Sequence, residues 1–169
     1  MALVAALLLT PSIACGKIFG AIAEQDHLGD VAEAYEFDLP LSKLWDEARI
    51  VLEEDGYRLV AAPVLDETVR CEGPSSTRER EWINLRVTKT SGGKLKVSMH
   101  RVGEEQRDGK WQPERGGRAR MLEWKLVARV DPELSESVGK RAAEKKDKAE
   151  KLGTKAQEAA EDFAELLGE

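Results

Sequence analysis

Few side chains in this sequence could carry out catalysis or hold a metal ion. The chain of 169 residues contains two cysteines and two histidines, which is too little material for a zinc site or a disulfide framework. His100 lies four residues before Glu104, but Gly103 between them indicates the start of a loop. Phosphate-binding glycine loops, a Gly-x-Ser-x-Gly elbow and a His-Glu-x-x-His pair are absent from the sequence. The sequence therefore predicts no enzyme activity, no metal site and no cofactor, and His100 is interpreted as an exposed strand residue.

Clustered carboxylates are the other group that could perform acid–base chemistry. They occur at residues 53–55 and at Glu104 with Glu105. A catalytic pair requires burial that moves the two pKa values apart. Both clusters fall where polar helix ends and loops are expected, so we interpret them as solvated surface.

Composition excludes two classes of binding protein. The formal net charge is −6, with 26 Lys and Arg against 32 Asp and Glu, whereas neutralising nucleic-acid phosphates needs a surplus of cations. Aromatic residues make up 5 % of the chain, which argues against a stacking platform for bases. We therefore expect no nucleic-acid partner.

The N-terminal segment contains a short apolar run that ends near a cysteine. Residues 2–9 have no polar side chain, Pro11 interrupts the run, and residues 12–15 read Ser-Ile-Ala-Cys. A run of about ten to fourteen residues is too short to cross a hydrocarbon core of ~30 Å as a helix. Its length is typical of the apolar region of a signal peptide, which ends in small residues.

Residues 12–15 resemble the lipobox of bacterial lipoproteins, in which the cysteine thiol is diacylglycerylated and the chain is then cut before the cysteine. Ser12 stands where the family usually has Leu, and no basic residue precedes the apolar run. The resemblance implies a signal peptide over residues 1–14 and a membrane anchor, with palmitate among its acyl chains, on Cys15. An ordinary secretory signal, a short buried helix and a chance cysteine are the alternatives.

The residue after this cysteine bears on location. An Asp there signals inner-membrane retention in Gram-negative lipoproteins, and this sequence has Gly16 instead. The resemblance therefore implies a lipid-anchored envelope protein at the outer membrane, facing the periplasm. Once Cys15 is acylated, Cys71 is the remaining thiol, and its strand-like surroundings predict a buried core residue.

Hydrophobic periodicity predicts an α+β fold, with an antiparallel β-meander packed against helices in the order β-α-β-β-β-β-β-α. The predicted strands are residues 35–39, 57–62, 67–72, 82–89, 94–102 and 122–130, and residues 103–118 are predicted to be an exposed loop. The first helix carries Trp45 on its apolar face and ends at Gly56. A long C-terminal helix begins at Asp131 and Pro132.

Four segments follow from these elements. They are a signal peptide over residues 1–14, a lipidated cysteine with a flexible tether over 15–33, an α+β domain over 34–142, and a charged helical extension over 143–169.

The start of the predicted domain resembles the helix-grip modules of outer-membrane assembly lipoproteins such as BamC. In those modules a strand ending in Leu-Pro runs into a helix with an early Trp, which closes at a Gly-aromatic pair before the next strand. The matching residues are Leu39, Pro40, Trp45, Gly56 and Tyr57. The resemblance covers this part of the chain alone and implies a helix-grip-like fold.

Residues 107–120 carry a local excess of positive charge in an acidic protein. The candidate binding residues here are Arg107, Lys110, Trp111, Arg115, Arg118 and Arg120. An aromatic ring among guanidinium groups could contact anionic lipid headgroups or an acidic loop of a partner. The alternative is a solvated hairpin tip whose Trp111 covers its own strand.

A second candidate surface is an apolar seam near the C-terminus. Its members recur in steps of three and four residues: Leu152, Ala156, Ala159, Phe163 and Leu166. An isolated helix of this length is marginal in water. We therefore expect the large residues Leu152, Phe163 and Leu166 to bind an envelope protein or a second copy, and Gly153 leaves open whether the helix bends or continues.

These features predict a non-enzymatic, lipid-anchored envelope protein that acts as a structural or adaptor module. An alternative is a binding module that holds a lipid or small hydrophobic ligand between sheet and helix. Such a module would have a continuous apolar cavity lined by residues such as Val97 and Leu126.

Overall fold

The computed structural model of the chain describes residues 12–61, 64–114 and 116–167, with side chains described from Gly16 to Phe163. The helices are α1 (Ser12–Ala34), α2 (Leu41–Glu54), α3 (Arg120–Val130) and α4 (Pro132–Leu167). The strands are β1 (Arg58–Leu59), β2 (Thr68–Ser75), β3 (Glu79–Lys89), β4 (Leu95–Arg107), β5 (Lys110–Pro113) and β6 (Gly117–Arg118). An antiparallel sheet combined with helices, one of them a long C-terminal helix, confirms the predicted α+β class.

The described chain divides into two compact units. Gly29–Ser135 contains the sheet together with α2 and α3. The second unit combines Met1–Leu28 with Glu136–Glu169, and in its described part the beginning of α1 pairs with most of α4. We call this second arrangement the helix pair.

The sheet is a meander in which neighbouring strands run antiparallel in the order β1-β2-β3-β4-β5, and β6 also pairs with β4. Every second residue of the central strands faces the core, as in the register pairs Cys71 with Ile83 and Leu85 with Met99. Helix α3 contacts β4, and α2 contacts both α3 and β1. The side chains most completely buried in this unit are Leu44, Val51, Leu52, Cys71, Ile83, Leu85, Val87, Met99, Leu126 and Val127.

Helix α2 forms where the periodicity predicts it. Its buried residues are Leu44, Trp45, Ala48, Val51 and Leu52, which recur at the spacing of one helix face. Gly56 follows the helix at a φ of +84°, a left-handed conformation that glycine adopts without a steric penalty. Both predictions for this helix, its apolar face and its glycine stop, are confirmed.

The last predicted strand, residues 122–130, is wrong, because the segment forms helix α3. Apolar residues there alternate, but Leu122 and Leu126 are also four positions apart, as are Glu123 and Val127, and all four are buried. Most of its residues, such as Met, Leu, Glu, Lys, Ala and Arg, favour helix. A period of 3.6 therefore fits this segment better than a period of two.

The predicted exposed loop over residues 103–118 is also wrong. Strand β4 runs on to Arg107, and a tight hairpin joins it to β5. Asp108 and Gly109 have φ values of 51° and 74°, the positive pair that favours Asp-Gly in two-residue hairpin turns. This dipeptide was the sequence signal for the hairpin.

Two segments near the N-terminus also differ from the expectation. Residues 15–33, for which a flexible tether was predicted, lie within α1, where Glu24 forms a 3.0 Å ion pair with Lys146 of α4. Residues 35–39 form no strand; Phe37 alone makes a bridge, exchanging backbone hydrogen bonds with Leu95 at 2.8 and 2.9 Å. Residues 35–40 separate α1 from α2, and among them Phe37 alone pairs with another strand. Most of the N-terminal signal-peptide prediction, residues 1–11, lies outside the described residues.

Helix α4 begins as predicted and continues through Gly153 without interruption. The backbone N–H of Leu134 donates to a carboxylate oxygen of Asp131 at 3.0 Å. This contact satisfies one of the N–H groups that a helix start leaves without an intrahelical acceptor.

Candidate functional site

The structure does not gather the predicted basic residues of 107–120 into one patch. Arg118 is half-buried, and its Nε–H donates to both carboxylate oxygens of Glu123 in two shared contacts, at 3.0 and 2.9 Å. It also pairs with Glu33 at 2.7 Å, and Arg120 pairs with Asp30. These two arginines therefore hold the unit together instead of facing a partner.

Glu123 is the unexpected member of this network, because it is a carboxylate with only 2 % of its surface exposed. Besides the two bonds from Arg118, it accepts one from the backbone N–H of Met99 on β4, at 2.7 Å. Burial alone would lower the pKa of Arg118, but the hydrogen bond and charge of Glu123, with Glu33, raise this pKa above its ordinary value. The pair is a structural link between α3 and the sheet.

The other predicted basic residues lie apart from this network. Arg107 is exposed and pairs with Glu105 at 2.6 Å, and Lys110 is exposed. Trp111 is 36 % exposed, and Arg115 lies outside the described residues. Trp111 therefore belongs to a different surface, which the register of the strands defines.

That surface is the face of the sheet opposite the core, which we call the outer face. Its described members on β1 to β4 are Arg58, Thr68, Arg70, Glu72, Arg80, Trp82, Asn84, Arg86, Thr88, Lys96, Ser98, His100, Val102 and Glu104. Every one of these side chains is exposed or half-buried. The outer face therefore remains accessible across β2, β3 and β4.

The outer face carries a surplus of positive charge. Arg58 pairs with Glu72 at 3.0 Å, and Arg80 pairs with Glu104. Both carboxylates of the face are thus neutralised. The three cations that remain are Arg70, Arg86 and Lys96, and within the described part of the chain none of them forms an ion pair.

These three cations are close neighbours. Arg70 stands in one cross-strand row with Asn84 and His100, and the next row contains Thr68, Arg86 and Ser98. Lys96 lies opposite Thr88 in the row after that. Strands are about 4.8 Å apart and successive rows about 7 Å apart, so the cations converge with amide, hydroxyl and imidazole groups that can donate hydrogen bonds.

Two arginines of the outer face stack on tryptophans. The guanidinium of Arg70 lies 3.9 Å from the ring centroid of Trp82, and that of Arg80 lies 4.3 Å from the centroid of Trp111. Such contacts restrict the rotamers of the arginine while its N–H groups remain free to donate. The outer face is therefore a partly ordered cationic surface.

Sequence reasoning missed Arg70, Arg86 and Lys96, although the signal was present. The predicted strands were defined by their inward apolar residues, such as Ile83, Leu85 and Val97. The outward positions between them contain the cations. Listing the charges of the outward set, strand by strand, would have identified this surface.

A second exposed surface lies on the helix pair. An open apolar groove between α1 and α4 is lined by Phe19, Ile22, Ala23, Asp26, Ala149, Leu152, Gly153 and Ala156. Phe19 is 54 % exposed and Leu152 is 60 % exposed. Leu152 thus belongs to an exposed apolar surface, but the surface is shared with α1 instead of being a seam of α4 alone. Phe163 is exposed further along α4, and the side chain of Leu166 lies outside the described residues.

Glycines explain why the large side chains of the helix pair point outward. A Cβ atom on Gly16 would lie 3.1 Å from the backbone oxygen of Glu150, and one on Gly153 would lie 3.1 Å from the Cα of Gly16. The two backbones are therefore in close approach, and no room for a phenyl or branched side chain remains between them.

The two cysteines lie in different elements, Cys15 in α1 and Cys71 in β2. The side chain of Cys15, the predicted lipidation site, lies outside the described side chains. Cys71 is fully buried in β2, as predicted, and burial raises the pKa of its thiol to about 11. A buried neutral thiol is a poor nucleophile, so Cys71 acts as a core residue.

The remaining candidates form no further site among the described residues. His100 is exposed on β4, as the sequence indicates. Within the described ranges, three or more His, Cys, Asp or Glu side chains nowhere converge as a metal site would require. The helices described there include none that is long and apolar enough to span a membrane. Val97 and Leu126, which would line the cavity of a ligand-binding module, are both buried in the core.

A comparison of the chain with protein-family models, with curated proteins and with solved structures finds no match in any of the three.

Proposed function

We propose that this chain is a non-enzymatic, lipid-anchored adaptor of the bacterial cell envelope. Acylated Cys15 holds it at the membrane, at the outer membrane and facing the periplasm. The outer face of its sheet binds an acidic segment of another envelope protein. The observation that carries the proposal is the cationic, uncovered outer face on a protein whose net charge is −6.

Charge complementarity selects an acidic polypeptide as the occupant of this face. Arg70, Arg86 and Lys96 are free of ion pairs among the described residues, so carboxylates of a partner can approach them without displacing an existing contact. Asn84 and Ser98 lie between them and can bond backbone or carboxylate oxygens.

The membrane part of the proposal depends on Cys15. Cys15→Ser should abolish incorporation of labelled palmitate and release the protein into the soluble periplasmic fraction, since the thiol that carries the lipid is gone. Cys71→Ser is the matched control, because it removes the buried thiol and should leave both label and fractionation unchanged. A wild-type protein that takes up no lipid label would overturn the anchor.

The adaptor part is tested by reversing the charge of the outer face. Arg70→Glu, Arg86→Glu and Lys96→Glu together should weaken binding of a fluorescent oligoglutamate peptide by about tenfold or more, since tenfold requires only ~1.4 kcal/mol in total. Fluorescence anisotropy of the folded protein measures this change, and raising the salt concentration should weaken the wild-type complex.

The control for this experiment changes the net charge by the same amount elsewhere. Lys43, Lys89 and Lys110 are exposed and absent from the outer face, so their reversal to Glu should leave most of the affinity. Equal losses in the two triple variants would show that the peptide responds to net charge alone and would contradict the proposal. Binding of the outer face to anionic vesicles in preference to the peptide would contradict it as well.

A further inference from the structure

The exposed apolar surface of the helix pair lies next to the position of Cys15 in α1. Residues 15, 18, 19 and 22 are spaced i, i+3, i+4 and i+7 within α1, which is the spacing of one helix face. Ile18, Phe19 and Ile22 are all about half exposed. Position 15 of α1 therefore belongs to the same helix face as these three residues.

The distances along the helix are short. At 1.5 Å per residue, Phe19 lies about 6 Å and Ile22 about 10 Å along the axis from residue 15. Apolar helix faces bind membranes by burying about 5–10 Å into the boundary between headgroups and acyl chains. Phe19 and Ile22 are therefore close enough to residue 15 along α1 to reach the same part of the interface when the lipid of Cys15 is inserted.

The partner helix extends this apolar surface. Leu152 and Ala156 of α4 line the same groove as Phe19 and Ile22. Lys148 and Lys155 lie four residues before and three residues after Leu152, so they are its neighbours on the helix surface, and both are exposed. Lysines in this position can extend their ammonium groups to anionic headgroups.

The polarity of the groove changes along α1. Asp26, a lining residue, is eleven positions beyond residue 15, or about 16 Å along the helix. The groove thus becomes polar at the end that is furthest from the acylated cysteine. The membrane contact is therefore expected to be closest near residue 15 and to end before Asp26.

We infer that the apolar surface of the helix pair, formed by Ile18, Phe19, Ile22 and Leu152, lies on the bilayer as a second membrane contact beside the lipid. The inference rests on the proposed anchor at Cys15. The bilayer is the occupant that the position of the anchor selects, because an inserted lipid keeps the adjacent surface next to the membrane. The contact holds α1 and α4 in one orientation at the membrane surface.

Spin labels can test this inference in the acylated, full-length protein. Ile22→Cys and Leu152→Cys are labelled with a nitroxide in separate variants, since Cys15 is blocked by lipid and Cys71 is buried. The proteins are reconstituted in vesicles of phosphatidylethanolamine and phosphatidylglycerol. We expect collisions with apolar oxygen to exceed collisions with a water-soluble nickel chelate at both sites.

Val64→Cys is the matched control, because Val64 is equally exposed but belongs to the other compact unit. Its label should collide mainly with the nickel chelate. Adding Phe19→Asp to the Ile22→Cys variant should increase nickel accessibility at residue 22 without changing lipid incorporation. Labels at residues 22 and 152 that prefer the nickel chelate in an acylated protein would overturn the inference and leave the anchor intact.

Lipid incorporation, measured separately, distinguishes the two failures. An unacylated chain whose residues 22 and 152 still prefer oxygen would overturn the anchor and support the membrane contact. An unacylated chain whose labels prefer nickel would overturn both.

Discussion

Glu123→Leu is expected to lower the free energy of unfolding by about 3 kcal/mol, a large share of the stability of a small domain. The carboxylate is almost fully buried and accepts hydrogen bonds from both the Arg118 guanidinium and the Met99 backbone N–H. Leucine fills a similar volume but leaves both donors without this acceptor. Urea denaturation followed by circular dichroism measures the loss.

Two further variants separate this effect from a general sensitivity of α3. Lys125 also lies on α3, and Lys125→Met removes its exposed ion pair with Asp55, the residue that follows α2. Such pairs contribute under ~1 kcal/mol. Combining Arg118→Met with Glu123→Leu should recover part of the loss, because the guanidinium that has lost its buried carboxylate is then removed, and the remaining pair with the half-exposed Glu33 contributes little. A Glu123→Leu protein that unfolds at the wild-type urea concentration would show that the buried network contributes nothing.

Trp45→Ala should cost about 3–5 kcal/mol, as removal of a buried aromatic side chain usually does. Trp45 is only 6 % exposed and lies on the apolar face of α2, which contacts both α3 and β1. Removing the indole leaves a large cavity that a densely packed core cannot close. The thermal midpoint of the variant, followed by circular dichroism, should fall by many degrees.

Trp111→Ala provides the comparison for this loss. Trp111 is partly exposed on β5 and contacts Arg80, so its removal should shift the thermal midpoint only slightly. Trp45→Phe should lose less stability than Trp45→Ala, since most of the ring is retained. A Trp45→Ala protein that melts within a few degrees of wild type would refute the central role of this residue.

The sequence predicts best those elements whose pattern admits one interpretation. Strand β3 and the first part of β4 alternate apolar and polar residues on either side of the turn at residues 90–93. The predicted hairpin and its buried apolar face are both confirmed there. Helix α2 has an apolar stripe and a glycine stop. In both cases local propensity and burial favour the same structure.

It predicts least well where one pattern fits two structures. In α3, Leu122, Trp124 and Leu126 satisfy a period of two as well as a helical face. The buried carboxylate of Glu123 is stabilised by Arg118, a residue that the sequence places in a surface patch. The large apolar residues of helix α1 are exposed and do not mark its buried face, and its described contacts with α4 depend on Gly16 and Gly153, which are far apart in the chain. Such long-range pairing leaves no local periodicity.

The candidate surfaces follow the same division. Exposure of Leu152 and Phe163 could be predicted, because a helix with so few large apolar residues cannot bury them by itself. The cationic outer face required the strand register, which brings Arg70, Arg86 and Lys96 together from three different strands. The cationic face becomes visible only when the residues of neighbouring strands are aligned in register, and not from the sequence of any one strand.

The edge of the sheet at β2 has a consequence for how partners are recognised. Strand β1 pairs only with Cys71 and Glu72 among the described residues, so β2 is covered along a short part of its length. Pro74 has no N–H to offer an added strand, and the charges of Arg70 and Glu72 oppose close stacking with a neighbouring sheet. These features hinder growth of the sheet by another chain at this edge and oppose edge-to-edge aggregation. The proposed binding of an acidic segment therefore depends on side chains of the outer face, and the charge pattern of that segment determines its selectivity.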